Sequence, residues 1–330
     1  MVIPLVQHPP SGSDSAESPG VLTGYLRAFY LLAGSFSACG LLLRYTIADQ
    51  YLFFSTFYYA TPWAMLWAGA ACSLCATAAL RWRKQAALWL VLTVLAGWNW
   101  YRLEWRFHQP RTSADELSVL FWNTARKDDL EPAARYIAAV DADIVALVEA
   151  GGAGPDRRLF WREKCPQYDI SMLGGGLILM VKGDADRCRP GQFDYGSIYR
   201  HVPCTVRGNE LHCVVVDLKS DPFYSRKPVL KQLAQVAEPL REQPTLIMGD
   251  FNTPVDSVHY APLKALFREM FDVAGNGYGP TWPVPFPVLW LDQIWFNAGI
   301  EPLSCRRLPG TNSDHRPILA TFRLTGAGPD

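Results

Sequence analysis

Residues 51–80 run without one Asp, Glu, Lys or Arg, and two further apolar runs, 28–43 and 85–101, flank them. A charge-free run of that length is too long for the exposed face of a soluble domain and long enough to cross a hydrocarbon layer about 30 Å thick. The first and third runs are shorter, and their flanking Tyr, Trp and Arg can extend them by snorkelling. Residues 24–107 therefore read as a transmembrane region of about three helices, with Trp98, Trp100 and Trp105 as interfacial anchors. A buried helical hairpin in a soluble protein is the competing reading. A cleaved signal peptide fits less well, because the basic start and cleavage pattern are missing and further apolar runs follow.

Arg81, Arg83 and Lys84 fall between the second and third runs, which places that loop in the cytoplasm. An odd number of crossings then puts the rest of the chain on the extracytoplasmic side. Arg102, Arg106 and Arg111 argue the other way, but basic residues leading into a long domain weigh less. Residues 1–23, rich in Pro, Ser and Gly, read as a disordered tail. A polar linker is expected over 108–114, a single domain over 115–324 and a short tail over 325–330.

Composition changes at this boundary. From Thr112 onward 23 Lys plus Arg stand against 27 Asp plus Glu, within a chain of zero net charge. The basic footprint of a duplex-binding protein is missing, which weakens a nuclease reading without removing it. The eight cysteines have no zinc spacing, and the pair Cys72 and Cys75 lies inside an apolar run, where packing is the simpler role. Strand-like and helix-like runs alternate, so the plain reading is mixed α/β, with helices expected at 130–140, 227–241 and 261–271.

Polar residues interrupt the apolar strands where those strands end. Asn123 closes a run from Leu117, and Glu149 closes one from Ile144. Asp250 and Asn252 follow Leu246-Ile247-Met248-Gly249, two positions apart and so on one face of a strand. Asp292 opens another strand, and Asp314 and His315 follow a loop rich in Gly, Thr, Asn and Ser. Adjacent strand residues face opposite ways, so Asp314 and His315 need a loop to act together. Each fragment alone has an ordinary reading as a solvated strand end, a turn or a cap. Together they suit phosphoester hydrolysis: oxygen ligands for a hard cation, a carboxylate for water, and an imidazole steadied by an Asp against developing charge.

In order and spacing, Trp122-Asn123, Glu149, Gly249-Asp250-Phe251-Asn252, Leu291-Asp292 and Ser313-Asp314-His315-Arg316-Pro317 resemble the endonuclease/exonuclease/phosphatase, or deoxyribonuclease-I-like, superfamily. Gly174-Gly175-Gly176 and Thr281-Trp282-Pro283 agree with it. The resemblance implies a four-layer α/β sandwich, two packed mixed sheets with helices outside. It also implies Mg2+ or Mn2+, with Glu149 as principal ligand, Asp314 beside the metal, and Asn123 supporting metal and phosphate. By the same resemblance Asp250 positions the nucleophilic water, Asn252 contacts phosphate, His315 stabilises the transition state, and Asp292 holds His315.

Two departures stand out. Asp217 occupies the place of a His that many members carry as leaving-group acid, and Ala125 replaces an Asp found in several nucleases. A carboxylic acid can replace the His if its pKa is raised. The expected function is a membrane-anchored Mg2+-dependent hydrolase of phosphodiester or phosphomonoester bonds. Its substrate is a nucleic acid, a phospholipid or a small phosphoester, and its anchor is the lipid bilayer. The alternative is a catalytically impaired membrane scaffold that keeps the fold.

Overall fold

The computed structural model describes residues 19–152, 154–310 and 312–325. Most of the expected tail at 1–23, and the C-terminal residues 326–330, lie outside the described residues.

Four helices come first: α1 (Pro19–Thr46), α2 (Leu52–Ala60), α3 (Trp63–Ala79) and α4 (Arg83–Glu104). About three spans are expected, and by length and composition one helix, Gly20–Thr46, is long and apolar enough to cross a membrane by itself. The charge-free run 51–80 is not one straight helix: α2 and α3 meet at 68°, the geometry of a broken span or a re-entrant loop. Pro62 causes the break, since its ring drives Thr61 out of the helical region, to φ −119 and ψ 61. The outer faces of α1 and α4 leave Leu22, Phe29, Leu32, Leu42, Val91, Val94 and Trp98 exposed. Only 28% of the most apolar stretch of α1 is buried, whereas the core helix of a soluble protein is covered on most sides.

Fifteen strands follow among the described residues. They are β1 (Trp105–Phe107), β2 (Leu117–Asn123), β3 (Ile144–Val148), β4 (Asp169–Gly174), β5 (Leu177–Val181), β6 (Gly183–Ala185), β7 (Arg189–Gln192) and β8 (Ile198–Val206). Next come β9 (Asn209–Asp217), β10 (Thr245–Asp250), β11 (Arg268–Glu269), β12 (Asn276–Tyr278), β13 (Asp292–Phe296), β14 (Ile300–Arg307) and β15 (Ile318–Leu324). One mixed sheet runs β14-β15-β2-β3-β5-β4; the other runs β11-β13-β10-β9-β8-β6, with β7 also paired to β8. The short pair β1–β12 joins the end of α4 to the domain.

Strand alternation builds the layers. Val119 and Phe121 of β2 point into the core between the sheets, together with Ala146, Val215, Met248 and Ile294. Leu120 and Trp122 point the other way, under α5 (Glu131–Val140) and α6 (Pro155–Lys164). Across the molecule Val214, Val216 and Ile247 pack under α7 (Arg226–Ala237). Central strands covered on both faces read as continuous apolar runs, and here that continuity carries each of them straight to a polar end residue.

The helix expected over 261–271 is broken. It becomes α8 (Ala261–Lys264), strand β11 paired with β13, and α9 (Met270–Ala274), whose start is capped by the Glu269 side chain accepting from Asp272 N. Edge pairing and the cap outweigh the apolar spacing of that segment.

Candidate active site

Three carboxylates stand side by side where three strands end. Asp217 and Asp250 are register partners in the parallel pair β9–β10, and Asp250 and Asp292 are partners in the antiparallel pair β10–β13. Gly249 makes this closeness possible, because a Cβ there would collide with the carbonyl of Val216 on β9.

The second sheet supplies the facing residues. Asn123, at the end of β2, donates from Nδ2 to Asp250 Oδ2 at 2.9 Å and accepts from Ala125 N at 2.8 Å. Glu149 follows β3 in the left-handed region at φ 55, a conformation rare outside glycine and often found at functional positions. The Gly174–Gly176 turn packs on it: a Cβ on Gly176 would meet Glu149 Cα at 3.4 Å. Glu149 pairs with Arg126 at 2.8 Å, and Arg126 is 76% exposed, so this partner is loosely held. Asn252, also left-handed at φ 46, donates its backbone N–H to Asp250 Oδ1 at 2.9 Å. Its side-chain amide donates to Leu218 O at 2.8 Å, so it is turned toward the chain after β9.

His315 lies in a loop and is buried. Its Nδ1 is 2.8 Å from Asp292 Oδ2, its N–H donates to Ser313 Oγ, and its carbonyl accepts from Trp122 Nε1. Thr281 Oγ1 accepts from Asp292 N at 3.2 Å. Asp314 turns outward and accepts from Trp282 Nε1 at 3.0 Å, with its Oδ1 4.0 Å from His315 Nε2. A cleft of about 540 Å³ is lined by Asn123, Glu149, Asp250, Asn252, Asp314 and His315. Six of the candidate residues thus converge on one cavity, whereas Asp217 and Asp292 do not line it: both are register neighbours of Asp250, and Asp292 also holds His315.

The electrostatics follow from crowding. Burial, then the charge of Asp292, pushes Asp250 above the usual carboxylate range. Burial, followed by the Glu149 charge, pushes Asp217 up to about 6. For His315, burial pushes down, but the Asp292 charge and hydrogen bond, with Asp250 and Asp314 behind them, outweigh it and hold the ring at about 9.

This surplus of buried negative charge fits a hard divalent cation. Asp250, Asp292 and His315 bring ligand-type atoms within 4.8 Å of one another, and Asp292 Oδ1 is buried with no hydrogen-bond partner. Since His315 Nδ1 is already engaged by Asp292 and both Asp250 oxygens accept hydrogen bonds, the freer oxygens are those of Glu149, paired with the exposed Arg126, and Asp292 Oδ1. Cation binding beside Asp250 must displace the proton that its raised pKa retains. Apparent Mg2+ affinity is therefore expected to rise with pH through about 7, where Asp250 loses its proton, by up to about tenfold per unit while one proton is released, and then to flatten. Calorimetric titration at pH 5.5, 6.5 and 7.5 checks this; an unchanging affinity contradicts it.

Sequence reasoning missed other cleft residues. Thr56, Tyr59 and Ala60 of α2 line the cavity, as does Arg226, which is buried. Nothing in the spacing of α2 signals that position.

Residues 120–315 match the Endonuclease/Exonuclease/phosphatase family, and the chain belongs to it. The uncharacterized protein YbhP of Escherichia coli K12 is 31% identical over 138 residues, which are 39% of this chain and 53% of that protein. The chain thus spans about half the length of the curated relatives it matches. Among solved structures, a humanized D. rerio TDP2 superposes with TM-score 0.54 at 18% identity, covering 64% of this chain and 100% of that one. ANGEL2, described as a 2',3'-cyclic phosphatase, superposes with TM-score 0.50 at 16% identity, covering 63% of this chain and 96% of its own.

Proposed function

We propose that this chain is a membrane-anchored, divalent-metal-dependent phosphoesterase. Residues 24–107 form the anchor, 108–114 the linker and 115–324 the catalytic domain. The observation that carries the reading is the meeting of Asp250, Asn123, Glu149 and the Asp292–His315 pair around one cleft.

Bound Mg2+ or Mn2+ would be held by Glu149 with Asn123 and Asp314 nearby, and would polarise the phosphoryl oxygens. Asp250, steadied by Asn123 and by Asn252 N–H, orients a water and takes its proton. Water oxygen bonds to phosphorus as the opposite P–O ester bond breaks. His315, protonated through Asp292, faces the charge that builds on the phosphoryl oxygens. Asp217, protonated more readily than an ordinary carboxyl, donates to the departing oxygen in place of the family His. Asn252 orders the Asp250 loop and adds a phosphate contact if its amide turns from Leu218.

Relatives that bind a phosphoester support the assignment: one D. rerio TDP2 structure holds a single-strand DNA product. The test is Mg2+-dependent hydrolysis of bis(p-nitrophenyl) phosphate by the full chain in detergent. Glu149→Ala is expected to abolish it. Hydrolysis that survives both Glu149→Ala and chelation would remove the metal reading, and an inactive wild type would favour the scaffold.

Anchoring is supported by the exposed apolar faces of α1 and α4. The turn between α3 and α4, with Arg81, Arg83 and Lys84, lies at the end of the bundle away from the domain, which favours an extracytoplasmic catalytic domain.

A further inference from the structure

One wall of the cleft does not belong to the catalytic domain. Thr56, Tyr59 and Ala60 of α2 line it beside Asn123, Asp250 and His315. This helix is fastened in place. Thr56 Oγ1 donates to Pro222 O at 3.1 Å, and the Tyr58 hydroxyl donates to Asp256 O at 3.3 Å. Arg44 and Asp256 form an ion pair at 2.6 Å, four residues beyond Asn252.

The sequence of α2, Leu-Phe-Phe-Ser-Thr-Phe-Tyr-Tyr-Ala, carries no charge, and the helix turns 68° away from α3. While Tyr59 faces the cavity, Phe53 is 86% exposed, and Tyr51 and Leu52 are also bare. α1 ends, α3 begins and α4 ends on the domain side, so α2 sits where the apolar bundle meets the domain. Aromatic side chains at that level are the usual residents of a membrane–water interface. Two other segments repeat the pattern beside the same cavity. Phe223, 71% exposed, adjoins the lining residue Pro222, and Phe286, 81% exposed, lies between the lining residues Trp282 and Leu289.

The lining includes a cation, Arg226, suited to an anionic group. Arg226 is buried in the lining, donates from Nη1 to Lys219 O, and leaves its Nε without a partner.

We infer that the substrate is a phospholipid of the bilayer in which the chain is anchored, entering headgroup first between α2 and the loops bearing Phe223 and Phe286. This rests on the phosphoesterase reading and narrows its substrate class. One water is consumed for each P–O bond broken, and the acyl chains stay in the bilayer while the phosphate reaches Arg226 and the carboxylate cluster. The aromatic rim keeps the cleft mouth against the surface, so a lipid need not leave the membrane to react.

The experiment uses the full chain reconstituted in phosphatidylcholine vesicles. They contain, in separate arms, phosphatidylglycerol, phosphatidylinositol phosphate or sphingomyelin, with bis(p-nitrophenyl) phosphate and a DNA oligonucleotide as soluble arms at the same Mg2+. At least one vesicle lipid is expected to be hydrolysed more than about tenfold faster than either soluble substrate. Phe53→Asp and Phe223→Asp are expected to lower the ratio of lipid to soluble rate by about tenfold, the soluble diester reporting that each variant is folded. Soluble hydrolysis with no lipid turnover overturns the lipid inference and leaves the phosphoesterase reading standing. An unchanged ratio in both variants overturns the role of the rim, and no hydrolysis in any arm overturns both readings.

Discussion

Asp250→Asn is expected to lower kcat by about 10³-fold while the metal-free protein melts at the same temperature or higher. The two halves have one cause. Asp250 is buried beside Asp217 and Asp292, and its raised pKa means that the fold disfavours its negative charge. For an acid whose folded pKa is raised, the native state binds the extra proton, so stability falls as pH rises from the unfolded pKa through the folded one. A neutral amide removes that loss. It also sets an NH2 against one of the two donors, Asn123 Nδ2 or Asn252 N–H, a mismatch costing about 1 kcal/mol that is smaller than the cost of the buried charge it replaces. Thermal unfolding in EDTA at pH 5 and pH 8 should therefore show the wild type losing stability with pH and the variant losing less. Turnover should collapse because an amide cannot take a proton from water. Normal turnover would take Asp250 out of the mechanism.

Such a residue was legible because its strand is apolar up to the last position. Asn123, Glu149 and Asp250 each end a run buried on both faces, so a polar side chain there marks the boundary between core and cleft. Pairing was not legible. That Asp217, Asp250 and Asp292 would share register depends on which strands neighbour which, and strands far apart in sequence carry no local record of it. The helix expected at 261–271 failed for a related reason, as β11 pairs with a strand more than twenty residues on. The bend at Thr61–Pro62 was available from the proline alone, but an uncharged run invites reading as a single span. That bend brings α2 against the cleft, so the missed turn and the missed wall are one feature.

Asp292→Asn should produce a loss that depends on pH, in contrast to the pH-independent loss expected of His315→Ala. The amide oxygen still accepts from His315 Nδ1, whose distance to Asp292 Oδ2 is now 2.8 Å, so the ring stays oriented. What disappears is the charge. Burial pushes the imidazole down, and Asp292 is the chief reason that it stands at about 9 instead. With the carboxylate gone, burial dominates and the ring becomes neutral above about pH 6.5. The wild type then keeps a cationic His315 at pH 8 and the variant does not. A charged donor aimed at developing phosphoryl charge contributes on the order of 10², so kcat is expected to fall about that much at pH 8 and far less at pH 6. Stability follows the same linkage. A His whose pKa is raised on folding stabilises fully below its unfolded pKa and loses that contribution as pH rises through about 9, so the stability gap between the two proteins should close there. Parallel pH–rate profiles for wild type and Asp292→Asn would mean that His315 does not act as a cation, and the Asp292 contact would then be one of packing and orientation alone.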